Sequence, residues 1–91
     1  MPKIARHVRV TGRVQGVFFR AWLRDQATKQ GIKGWVRNCP DNSVEAHVEG
    51  EEAAIRWLVD LAYDGPGGAR VDRVESRDAD FEDFSSFEVR H

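Results

Sequence analysis

The stretch Gly12-Arg13-Val14-Gln15-Gly16-Val17-Phe18-Phe19-Arg20 turns a predicted strand into a predicted helix, and the fold follows from reading outward on either side of it. Upstream, residues 3–11 read as a strand. Ile4, Val8 and Val10 fall on one face, with Arg6 interrupting them, and His7, Arg9 and Thr11 fall on the other. Gly12 ends that run, and residues 13–19 form a loop around Gly16. Downstream, a helix begins near residue 19 or 20 and runs to about residue 30, with Phe19, Trp22, Leu23, Gln26 and Ala27 at helical spacing. Gly31 supplies the stop, followed by apolar Ile32.

Beyond that point the pattern alternates between strand and helix once more. Residues 33–39 read as a second strand, and Pro40-Asp41-Asn42-Ser43 as a turn in which Asn42 can take the left-handed conformation. Residues 44–49 alternate strictly, with Val44, Ala46 and Val48 on one side and Glu45, His47 and Glu49 on the other. A second helix follows over residues 51–63. Ala54, Ile55, Leu58, Leu61 and Ala62 make its apolar stripe, and Glu51 and Glu52 suit the positive end of its dipole. Gly65-Pro66-Gly67-Gly68 breaks it, residues 70–75 alternate around Val71, and residues 87–90 make a short closing strand. The order β-α-β-β-α-β with a short terminal strand predicts an α+β, ferredoxin-like sandwich: an antiparallel sheet with two helices on one face. The opposite face is then expected to meet water, which would account for Glu45, His47 and Glu49. The acidic run Asp78-Ala79-Asp80-Phe81-Glu82-Asp83 reads as a solvated loop.

Composition bounds the answer. The chain has 91 residues, 41% apolar and 32% charged, with five Phe, three Trp and one Tyr. That is one small domain, residues 1–91, and too aromatic for a disordered tail. The formal net charge is −1, but residues 1–40 carry nine Lys/Arg against Asp25 alone, for +8, and residues 41–91 carry five Arg against fourteen acids, for −9. Such a split points the first half toward an anionic partner. No stretch reaches the ~20 apolar residues of a membrane span, and no secretory signal is visible. The single Cys39 cannot form an internal disulfide, which fits a reducing, cytoplasmic setting. His7, His47, His91 and Cys39 lack zinc spacing, so no metal is expected.

The chemistry concentrates in residues 12–20. The first N–H groups of a helix have no intrahelical partners, and the dipole adds positive charge there. Gly16 lets the backbone approach a ligand closely, and Arg20 brings a planar fork that matches two phosphate oxygens. There is no Gly-Lys-Ser/Thr after the loop, and Gly-x-x-x-Gly is not dinucleotide spacing. These residues alone leave two readings open: an oxyanion site, or a plain strand-to-helix turn with a solvent-facing Arg.

Gly12–Arg20 resembles the signature of the acylphosphatase family, G-x-V-Q-G-V-x-F-R, and Gly34-Trp35-Val36-Arg37-Asn38 resembles its second signature, G-[YW]-[VA]-x-N. The spacing of eighteen residues from Arg20 to Asn38 also matches. Weaker matches are Val44-Glu45, Glu49-Gly50, Gly65-Pro66 and the stretch 87–90, so the resemblance spans the chain. It implies a small cytoplasmic hydrolase that cleaves the carboxyl-phosphate bond of acyl phosphates without metal or cofactor. Arg20 would bind the phosphoryl group together with the backbone amides of Gln15, Gly16, Val17, Phe18 and Phe19, and Asn38 would position the attacking water. The substrate's own phosphate would accept the proton. Inorganic phosphate or sulfate would bind as product-like ligands. A monomer is expected, with no nucleic-acid or membrane partner. Two positions depart from the family pattern. Asn42 stands where Gly is common, and Cys39 stands where a small polar residue is usual, as either a mere replacement or an exposed, modifiable thiol.

Two other classes share the element order. An RNA-recognition module would place aromatics at His7, Arg9, Thr11, Glu45, His47 and Glu49, where two carboxylates would instead repel a phosphate backbone. A non-catalytic or carbamoyl-phosphate-handling domain would sit inside a larger protein, whereas 91 residues read as free-standing.

Overall fold

The computed structural model describes residues 2–16 and 18–90. In chain order they form β1 (Lys3–Arg13), α1 (Phe19–Lys29), β2 (Lys33–Asn38), β3 (Val44–Glu51), α2 (Glu52–Asp64), β4 (Arg70–Asp78) and β5 (Phe87–Arg90). The sheet order is β4-β1-β3-β2-β5. The first four strands pair antiparallel, and β5 adds a parallel edge beside β2. This is the α+β, ferredoxin-like arrangement expected from the sequence.

Both helices lay their apolar stripes on one face. Phe19, Leu23 and Ala27 of α1 and Ile55, Leu58 and Ala62 of α2 are buried. They pack with Val44, Ala46 and Val48 of β3 in a single core. α1 ends as its sequence requires. The Ile32 N–H donates to the Ala27 carbonyl (2.9 Å) and the Gly31 N–H to the Thr28 carbonyl (3.2 Å), with Gly31 at φ 72. That is a Schellman stop. The β2–β3 turn holds Asn42 at φ 71, the left-handed geometry expected of it.

β1 runs two residues beyond its predicted end. The register shifts between Thr11 and Gly12, and this bulge lets Gly12 and Arg13 go on pairing with Val71 and Arg70. Only glycine fits there: at φ +129 a Cβ would lie 2.2 Å from the Arg70 carbonyl oxygen. β4 likewise continues to Asp78 because β1 offers it partners that far.

The outer sheet face corrects an expectation. Glu45, His47 and Glu49 do point away from the helices, but they are 6%, 5% and 1% exposed. Their strand lies at the centre of the sheet, and the chain between β4 and β5 crosses back over it. The backbone N–H groups of Glu82 and Phe84 both donate to the Glu49 carboxylate, the latter at 3.0 Å. The acidic run is therefore a strap: its side chains from Asp80 to Asp83 are exposed, yet its backbone is tied to the sheet.

Candidate functional site

The loop between β1 and α1 enters the helix through unusual backbone. Gly16 has φ 74, and Phe18, the N-cap of α1, has φ 60 and ψ 26. A bulky residue in the left-handed region costs conformational energy, and such strain concentrates at functional sites. Phe18 provides no side-chain cap, and no acidic residue sits in the first turn of α1. In α2, by contrast, Glu52 occupies the first turn. The positive end of α1 is thus left without a carboxylate of its own, which suits an anionic ligand.

Arg20, in that first turn, extends an Nη1 donor to the Arg90 carbonyl at 3.0 Å. The guanidinium is therefore braced by β5. Asn38 is the last residue of β2, paired with Val44. Its Oδ1 is buried and accepts no hydrogen bond from any described residue. A buried acceptor left this way is costly, on the order of 1–3 kcal/mol. The turn after Asn38 is fixed from within. The Cys39 N–H donates to the Ser43 carbonyl (2.8 Å), and the Ser43 hydroxyl (2.5 Å) and N–H (3.0 Å) both donate to Asp41. Those bonds from Ser43 hold the Asp41 carboxyl below its usual range.

An open cleft of about 900 Å³ brings these parts together: Gly16, Phe18, Phe19, Arg20 and Asn38 all line it. Its opposite wall is β5, through Phe87, Glu88 and Val89. β3 separates β1 from β2 in the sheet, so loop 13–19 and the end of β2 meet at one edge of the core rather than as neighbouring strands. Gln15 does not line the cleft. Its Nε2 donates to the Cys39 carbonyl (3.0 Å) and the Ser43 carbonyl (2.9 Å), lashing the loop to the turn beside Asn38. Val17 lies outside the described residues. Sequence reasoning missed this Gln15 brace and the Arg90 carbonyl. It also leaves Cys39 as either a mere replacement or an exposed thiol, and the structure buries the residue, which is 8% exposed. Among the described residues, no three His, Cys, Asp or Glu side chains converge as a metal site, and no helix is long and apolar enough to cross a membrane.

The outer face supports the cleft from behind. Burial pushes the Glu45 carboxyl up, but hydrogen bonds from His7 (2.9 Å) and Arg37 overcome this and hold it below the ordinary carboxylate value. Glu49 behaves alike. Burial raises it, and the N–H of Glu82, the His47 ring (2.8 Å) and the N–H of Phe84 bring it down below that value. His47 stacks on Trp35, with ring centres 6.4 Å apart, and meets the edge of Phe84 at 5.3 Å. The Arg90 guanidinium carbon lies 4.9 Å from the Trp35 ring centre, a cation–π contact. The strap, β5 and the Arg20 brace are therefore one connected structure.

Comparison with known proteins agrees with this architecture. The acylphosphatase family model matches residues 6–89. An acylphosphatase from Anaeromyxobacter dehalogenans is 48% identical over 97% of this chain and 96% of its own. Among solved structures, the acylphosphatase of Coxiella burnetii superposes with a TM-score of 0.94 at 39% identity, covering 97% of this chain and 93% of that one. The acylphosphatase of Bacillus subtilis does so with a TM-score of 0.94 at 30% identity, covering 97% and 99%. Fold and matches define a ferredoxin-like hydrolase whose cleft opens at a helix N-terminus. The chain belongs to the acylphosphatase family and is an enzyme of acyl-phosphate hydrolysis.

Proposed function

We propose that the chain hydrolyses its acyl phosphate by metal-independent attack of water on phosphorus, with Arg20 and Asn38 as the catalytic residues. Arg20 and the amides of loop residues Gly16, Val17, Phe18 and Phe19 hold the phosphoryl group, and Gln15 braces their loop. Phosphoryl transfer asks chiefly for positioning and for charge on the equatorial oxygens, and a guanidinium with preorganised amides supplies both. Water forms the new O–P bond and the acyl C–O–P bridge breaks on the phosphorus side. The products are a carboxylate and inorganic phosphate, and the water's proton ends on the phosphate. Asn38 cannot act as a base at neutral pH, so its part is to hold and orient that water through its side-chain amide.

The observation that carries this reading is the convergence of Arg20, Asn38, Gly16, Phe18 and Phe19 on one cleft, with a buried Asn38 acceptor facing no protein donor among the described residues. The test is hydrolysis of benzoyl or acetyl phosphate with and without EDTA. Equal rates in both are expected. A rate abolished by EDTA and restored by a divalent ion would refute the metal-free route.

A further inference from the structure

We propose that Arg24 is a specificity-determining residue that binds a second negative charge on the acyl part of the substrate. The proposal rests on the hydrolytic reading above, which places the phosphoryl group at loop 13–19 and the start of α1. The acyl part must then run out along the rest of the cleft. Besides the loop residues, Arg20 and Asn38, the same cleft is lined by Ala21 and Arg24 of α1 and by Phe87, Glu88 and Val89 of β5. The methyl of Ala21 leaves room, and Phe87 and Val89 offer an apolar wall to a short hydrocarbon or a ring.

Arg24 stands four residues after Arg20, on the same helix face and about 6 Å further along the axis. That is the reach of a small acyl group away from phosphorus. Its guanidinium pairs with the adjacent Asp25 at 3.3 Å, where the two side chains are 44% and 60% exposed. An exposed pair of this kind holds the fork only weakly, so a ligand carboxylate can take it over in bidentate geometry. Glu88, the acid on the opposite rim, has its carboxylate 3.9 Å from the Arg90 Nε. That pair is as exposed as the one at Arg24, so Glu88 stays available to oppose a second anion, and the measured preference reports which of the two charges prevails.

The experiment compares kcat/KM for 3-carboxybenzoyl phosphate and benzoyl phosphate at low ionic strength in the wild type, Arg24→Gln and Lys29→Gln. Lys29 is a cation further along α1 that does not line the cleft. The wild type is expected to favour the carboxylated substrate about five- to tenfold, the scale of one charge-assisted contact at a half-exposed site. Arg24→Gln should bring that ratio close to one, and Lys29→Gln should keep it. A wild-type ratio at or below one, a ratio unchanged in Arg24→Gln, or an equal fall in Lys29→Gln would each overturn the role of Arg24 while leaving the hydrolytic reading intact. Failure to hydrolyse either substrate would instead overturn that reading, and this one with it.

Discussion

Asn38 pairs with Val44 through its backbone and lines the cleft at the end of β2. If its side-chain amide orients water, Asn38→Ala should lower kcat/KM for benzoyl phosphate by about 10²-fold or more, the scale of losing one oxyanion-type donor or positioning group. Arg20→Ala should do the same. Steady-state kinetics on the two variants, with circular dichroism confirming the fold, checks both. Full activity in Asn38→Ala would remove its water-positioning role. Both residues were legible in the sequence because each lies in a short motif with fixed spacing. Gln15 was legible only as a loop amide. Its side chain reaches carbonyls at Cys39 and Ser43, 24 and 28 residues away, and no local pattern encodes such a contact. Gly34 was similarly opaque. It is a motif glycine, but its reason appears only in the sheet, where at φ +137 a Cβ would lie 1.8 Å from the His47 carbonyl oxygen.

At the scale of elements, the strap and β3 make the strongest demand. The alternation over residues 44–49 correctly separated the two faces of the strand. It could not say what covers the polar face, because a strictly alternating strand looks the same under water as under another segment of chain. The cover comes from residues 33 and 35 positions further along, through the N–H groups of Glu82 and Phe84. Glu45 and Glu49 both have folded-state pKa values below their ordinary ones. Below the ordinary carboxylate range, about 4.3, the unfolded state takes up protons that the folded state resists. Their stabilisation is therefore complete above that range and is lost as pH falls through the lowered values. Glu49→Gln should cost about 1–3 kcal/mol at pH 7 and leave a shallower acid limb. Urea midpoints at pH 7, 5 and 3.5 for wild type and variant measure this, and parallel acid limbs would show that Glu49 does not titrate as described.

On the scale of the whole molecule, the opposed charges of the two chain halves find much of their use internally. β1, from the basic half, lies between β3 and β4 of the acidic half. Arg6 pairs with Asp78 (3.4 Å), Arg9 with Asp41 (2.8 Å) and Glu45 (3.8 Å), and Arg37 with Glu45. The sequence total and its split were readable, but which cations are already matched was not, because that depends on strand order. Two cations line the cleft, Arg20 in the first turn of α1 and Arg24 one turn further on. They should draw in an anionic substrate by long-range attraction. Accordingly kcat/KM for acetyl phosphate should fall several-fold as ionic strength rises from about 0.01 M to about 1 M, where the screening length contracts from roughly 30 Å to 3 Å. A salt titration at constant pH, with kcat followed separately, tests this. A fall in kcat alone would place the effect in chemistry rather than encounter.

The brace between Arg20 and the Arg90 carbonyl spans 70 positions of sequence. Closing so long a loop costs entropy before any contact repays it, and topologies dominated by such distant pairings fold slowly. The wall that completes the cleft is β5, which pairs with β2 at the edge of the sheet. A site walled by the last strand therefore depends on contacts between the early and the final residues of the chain. Recovery of activity on refolding thus reports the completed sheet rather than the presence of helix alone.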